Sequence, residues 1–102
     1  MALIDDESLL HELVRLFLAD YPKQLTLIRQ AVESGDAQGL QRAAHTLKGS
    51  ASNFSATAVA AAANALEEMG RSEYLERAQQ SLKRLEGEIE RLDAALQREL
   101  SN

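Results

Sequence analysis

From Leu10 to Leu96, apolar residues return at intervals of three and four, and this spacing excludes most of what a chain of 102 residues could become. A half-buried strand needs alternation by two, and a many-turned β protein needs frequent Pro and Gly; here Pro occurs once and Gly five times. The spacing predicts five helices. The first runs from about Asp6 to Ala19 with Leu10, Leu13, Val14 and Phe17 on one face. Pro22 stands where a second would begin, a first-turn position that tolerates its missing N–H. That helix turns Leu25, Ile28 and Val32 inward and stops at Ser34-Gly35. Asp36 can cap a third, built on Leu40, Ala43, Ala44, Leu47, Ala51 and Phe54. Ser55 or Thr57 can cap a fourth, carrying Val59, Ala62, Ala63, Leu66 and Met69 and ended by Gly70. Ser72 opens the last, with Leu75, Ala78, Leu82, Leu85, Ile89, Leu92 and Leu96 in one stripe. Short connections favour antiparallel neighbours. The expected fold is therefore all-α, an antiparallel up-and-down four-helix bundle with an additional N-terminal helix, formed as a single domain over residues 1–102.

Charge and composition narrow the function classes. A formal net charge of -5 argues against non-specific nucleic-acid binding, which depends on a basic surface. The absence of cysteine removes thiolate chemistry and disulfides. No apolar run approaches the roughly 18–20 residues of a membrane span, and no signal peptide is evident, so no membrane insertion is expected. No Gly-rich phosphate loop or kinase-type nucleotide motif occurs. Carboxylates spaced to hold Mg²⁺ are also missing, and His45 has no second metal ligand at helical spacing apart from Glu67, so neither a metal site nor a resident cofactor is expected.

One histidine stands out by its direction. At about 100° per residue, Ala44, Leu47 and Ala51 fall within roughly 40° of Leu40, whereas His45 lies about 140° away and belongs in water. Lys48, Gln41, Ser52 and Gly49, at about 80°, 100°, 120° and 180° from Leu40, flank it, with Arg42 just beyond. Gly49 removes a side chain one turn after the imidazole, at a cost to helix stability, and leaves room for another protein to approach. Lys48 and Arg42 make the stripe locally basic in an acidic chain and put a cation within reach of an anion on the ring. A neutral imidazole offers an unprotonated nitrogen as a nucleophile. An exposed histidine on a charged helix is more often just a solvated side chain. His11, with no Lys at plus three and no Gly at plus four, is assigned no role.

The stretch Ala43-Ala44-His45-Thr46-Leu47-Lys48-Gly49-Ser50-Ala51, followed by Asn53 and Ala56, resembles the signature of histidine-containing phosphotransfer (HPt) domains. Leu16-Phe17-Leu18 with Pro22 and Leu25, Gly35-Asp36 with Leu40, Ala65-Leu66-Glu67 and Gly70-Arg71 extend the resemblance over roughly Asp5 to Arg71. The last helix matches only in pattern. The resemblance implies a phosphocarrier without ATP binding or kinase activity of its own. It would take a phosphoryl group on a histidine from the aspartyl phosphate of one response-regulator receiver domain and pass it to the aspartate of another, with Mg²⁺ brought by the receiver. It also implies a cytoplasmic monomer, either alone or joined to a hybrid sensor histidine kinase whose other parts could be membrane-bound.

Carried over residue by residue, His45 is the implied phosphoacceptor, through the ring nitrogen farther from the backbone. Lys48 would stabilise the phosphoryl group, Gly49 would permit approach, and Ser50 could anchor the helix near the site. Glu67 takes the place where some members carry a Gln or Glu bonded to the ring, which would fix the tautomer and sharpen the other nitrogen. Ala60, Asn64, Glu67 and Arg71 form one small or polar stripe, so Asn64 and Arg71 join Gln41, Arg42 and Ser52 as candidate contacts. The bland alternative for Glu67 and Arg71 is a surface i, i+4 ion pair worth a few tenths of a kcal/mol. One departure is Ser55, where many members have Gly; its effect on the following turn is open. Two other readings stand beside the carrier. One is a chemotaxis-kinase-type phosphoacceptor served by an ATP-binding domain. The other is a non-catalytic helical module that pairs through the stripe from Leu75 to Leu96.

Overall fold

Pro22 does not start a helix. In the computed structural model, which describes residues 6–101, α1 runs unbroken as Asp6–Ser34 with Pro22 inside it. The expected break, and with it the additional N-terminal helix, is therefore corrected. An interior proline forfeits a backbone hydrogen bond and costs about 3 kcal/mol relative to Ala. Burial on both sides outweighs that cost: Val14, Phe17, Leu25, Ile28 and Ala31 enter the core, with Leu18 and Tyr21 packed against it. Phe17 anchors the segment by stacking on Tyr21 (ring centroids 5.4 Å apart) and meeting Phe54 edge-on at 5.3 Å. Residues 1–5 and 102, part of the expected 1–102 domain, lie outside the described residues.

Three further helices follow: α2 (Ala37–Ser52), α3 (Thr57–Ser72) and α4 (Ala78–Ser101). No strand occurs among the described residues. Each helix packs on two neighbours, in the ring α1, α2, α3, α4 and back to α1, as a bundle of sequential neighbours joined by short connections does. The core is aliphatic, led by Ile28, Leu40, Leu47, Leu66, Leu85 and Ile89. Tyr21 donates to Asp93 and Arg29 pairs with Glu86 at 2.7 Å, which fixes α4 against α1. In that register Ser101 comes level with the region of Leu13, so the first turns of α1 run past the end of α4. Leu10 and Leu13, expected inside, are accordingly exposed, together with Leu9.

The helix ends depart from expectation in a consistent way. Gly35 takes φ +72 and the Asp36 N–H reaches back to the Ala31 carbonyl, closing α1 as predicted. The Asp36 carboxylate then caps α2 by accepting from the Gly39 N–H at 2.9 Å. Ser55, however, caps nothing. It adopts φ +52, the Ala56 N–H bonds the Ala51 carbonyl across it, and Ala56 precedes α3 without a side-chain cap. Ser55 thus holds a left-handed position that glycine would take without strain. Nor does Gly70 end α3, which continues to Ser72 and closes over Glu73 at φ 58. Ser72 consequently opens nothing, and α4 begins at Ala78 with Leu75 packed on the core from the preceding turn.

Candidate functional site

The ring of His45 stands on the outward face of α2 with 67% of its side chain exposed, in agreement with its helical direction. Beneath it, on α3, Glu67 is 97% buried and, among the described residues, is the one charged residue in the buried set. Its Oε2 lies 3.0 Å from His45 Nδ1 and accepts at 3.1 Å from Arg71, one turn along α3. Its Oε1 lies 2.6 Å from Lys48 Nζ, an ion pair without the alignment of a hydrogen bond. Lys48 also donates to Asn64 Oδ1 at 3.3 Å, so α2 and α3 are laced together around one carboxylate.

Lys48 beside Glu67 is the main cause that holds its carboxyl below the ordinary value of 4.5. Burial works in the opposite direction, and the bond to His45 helps Lys48. An ionised carboxylate can only accept, so the proton between it and the imidazole belongs to Nδ1. In the neutral ring Nε2 is then left with its lone pair, on a side chain that is mostly exposed. This differs from the surface i, i+4 pair weighed from sequence. Glu67 and Arg71 do pair, but around a buried carboxylate, while Arg71 is also held by exposed Glu68.

A groove of about 500 Å³ opens beside the ring, lined by Gln38, Gln41, Arg42, Thr46, Glu67 and Arg71. Gln41, Arg42 and Arg71 are thus gathered beside the imidazole, while Asn64 reaches the site only through its bond to Lys48. Ser52 does not: it turns its hydroxyl back to the Lys48 carbonyl at 2.8 Å, and no hydrogen bond among the described residues joins Ser50 to the ring. The position of a Cβ at Gly49 meets nothing within 4 Å, so the ring is open on that side. Gln38 was not singled out from sequence, although it lies seven residues before His45, about 20° away on the same face. Among the described residues no three His, Cys, Asp or Glu side chains gather as a metal site, and no helix is long and apolar enough to cross a membrane.

The model of the Hpt domain family matches residues 12–95. Among solved structures, the crystal structure of histidine-containing phosphotransfer protein B (HptB) from Pseudomonas aeruginosa PAO1 superposes with a TM-score of 0.86 at 31% identity. The match covers 89% of this chain and 79% of that one. A search of curated proteins gave no significant match.

Proposed function

The chain belongs to the Hpt domain family of phosphorelay proteins, and from that premise we propose that it carries a phosphoryl group on His45 between receiver domains. The observation that carries this reading is an exposed imidazole tethered through Nδ1 to a buried carboxylate. In the forward step the Nε2 lone pair attacks the phosphorus of a receiver's aspartyl phosphate. The N–P bond forms as the P–O bond to the aspartate breaks, and the electron pair leaves with that carboxylate. No proton has to move. Nδ1–H stays in place, positive charge develops on the ring, and Glu67 lies 3.0 Å away to stabilise it. Passing the group onward is the same step reversed on a second receiver.

The remaining groups serve positioning and charge. Lys48, Arg71 and Arg42 supply positive charge for the phosphoryl dianion, and Asn64 holds Lys48 at the site. Gln41 and Gln38 line the groove that a partner's loop would enter. Gly49 leaves the approach clear. Mg²⁺ and the acidic residues that hold it belong to the receiver in this proposal, and no nucleotide is bound by this chain. Phosphoryl transfer depends mostly on positioning and charge stabilisation, so such a division of labour is chemically sufficient.

The test is transfer of label. Wild type and His45→Gln are mixed with Mg²⁺-loaded receiver domains carrying a radiolabelled aspartyl phosphate. Label that reaches wild type, survives base, is lost in acid and is absent from the variant is the expected result. Label on His45→Gln would show the wrong residue was chosen. Label arriving only from an ATP-fed kinase domain would favour the chemotaxis-type donor instead.

A further inference from the structure

Gly70 reads in sequence as a helix terminator, yet it lies buried inside α3 in ordinary helical conformation. Its missing side chain is needed for another reason. A Cβ built there would fall 2.6 Å from the Ala37 carbonyl oxygen, 2.6 Å from the Gln41 amide nitrogen and 2.9 Å from the Gln41 Cα. All three are backbone atoms of α2, so no rotamer change can relieve the clash. The other helical glycines differ: a Cβ at Gly39 would meet only the side chain of Asp36, Gly49 has open space, and Gly87 meets only an Arg91 side-chain nitrogen at 3.7 Å.

The place of this contact matters as much as its closeness. Gly70 lies one turn after Glu67 on α3, and Gln41 lies one turn before His45 on α2. The crossing at Gly70 therefore sets the helix separation at the level where Oε2 must reach Nδ1 across 3.0 Å. To bring a 2.6 Å contact to the 3.4 Å of ordinary van der Waals separation, the helices must part by about 0.8 Å. That displacement, carried to Glu67, takes a 3.0 Å bond past the reach of a hydrogen bond.

We propose that Gly70 is a positioning residue for the phosphotransfer site: its missing Cβ lets α3 approach α2 closely enough for buried Glu67 to hold the His45 tautomer. This rests on the phosphocarrier reading for its consequence in rate, but not for its consequence in the ring. Misplacement on the order of 1 Å can cost as much as about 100-fold in rate.

The test compares wild type, Gly70→Ala, Glu67→Ala, the double variant and the control Gly87→Ala. Imidazole ¹⁵N shifts report the tautomer in each unphosphorylated protein, and labelled receivers report the transfer rate. In wild type and Gly87→Ala the Nδ1–H form should dominate. Gly70→Ala should keep its helical circular dichroism, show a mixture of tautomers, and transfer at least about tenfold more slowly. The double variant should be no slower than Glu67→Ala alone, because Gly70 acts through Glu67. A wild-type tautomer and rate in Gly70→Ala would overturn the proposal, as would a further slowing on top of Glu67→Ala. Should Gly70→Ala fail to fold, cross-relaxation in wild type decides: strong peaks from the Gly70 Hα protons to the Gln41 amide support the close crossing, and their absence overturns it. If wild type accepts no label from any receiver, the phosphocarrier reading fails by itself and the tautomer comparison still decides the role of Gly70.

Discussion

Replacing Glu67 with Gln keeps the shape of the side chain and one acceptor for His45 Nδ1–H, but removes the charge shared by Lys48 and Arg71. Two limits bracket the cost. Breaking a buried ion pair from one side costs about 3–5 kcal/mol because the orphaned charge stays buried, while an exposed pair is worth about 0–1 kcal/mol. Glu67 is buried, but Lys48 is 29% and Arg71 54% exposed, and both can turn to water once released. The cost should therefore lie between the limits, about 1–2 kcal/mol at neutral pH. For a domain near 100 residues this lowers Tm by roughly 5–15 °C. The pH dependence follows from the direction of the shift. The folded Glu67 carboxyl titrates below 4.5, so on acidification the unfolded chain takes up its proton first. The stabilisation is complete above 4.5 and fades as pH falls through the folded value. Urea denaturation followed by circular dichroism from pH 7 to 3 should show a steady gap between wild type and Glu67→Gln down to about pH 5. Below that the gap should close. A gap that persists to pH 3, or a variant more stable than wild type at pH 7, would refute an ionised, cation-held Glu67.

Four other substitutions test the surrounding structure. Ser55→Gly should raise stability by about 0.5–1 kcal/mol, since the φ +52 position penalises a Cβ by more than glycine adds in unfolded-state entropy; a loss in urea denaturation would refute this. Gly49→Ala should gain up to about 1 kcal/mol in helix stability while slowing receiver transfer, because the added methyl meets nothing in this chain; unchanged transfer would show that Gly49 is not on the approach path. The Tyr21 hydroxyl is pushed up to about 12 by burial and by Asp93, so wild type should lose stability between pH 10 and 12, where the unfolded chain ionises first; Tyr21→Phe should lack that slope, and equal slopes would exclude the assignment. Pro22→Ala should stabilise by about 1–3 kcal/mol if α1 is continuous, and destabilisation would mean that the helix needs its proline.

What could be read from the chain divides by whether the answer depends on near or distant residues. The exposure of His45 follows from angles within one helix, and the core positions of α2 and α3 follow from the same arithmetic. The first turns of α1 fail because periodicity tells which way a leucine faces and not where its neighbours stop: Leu10 and Leu13 lie at or past the end of α4 and are exposed. Pro22 fails because a local penalty of about 3 kcal/mol meets burial of Phe17 and Leu25 on either side, a tertiary term the local rule omits.

The glycine signals explain the remaining misses. Glycine serves a chain either by accepting positive φ or by lacking a Cβ, and sequence does not say which. Here the two uses are separated. Ser55 and Glu73 accept left-handed conformations where a glycine would be expected, while Gly70 sits in regular helix because α2 passes within 2.6 Å of where its Cβ would be. The proposed nucleophile therefore shows as a local pattern, His45 with Lys48 and Gly49. What prepares it is a contact across helices: Glu67 can meet Nδ1 only if α3 comes close, and α3 comes close at Gly70. It follows that a similar histidine motif on a chain with a bulky residue at the position of Gly70 should have a wider crossing and an imidazole not held in one tautomer.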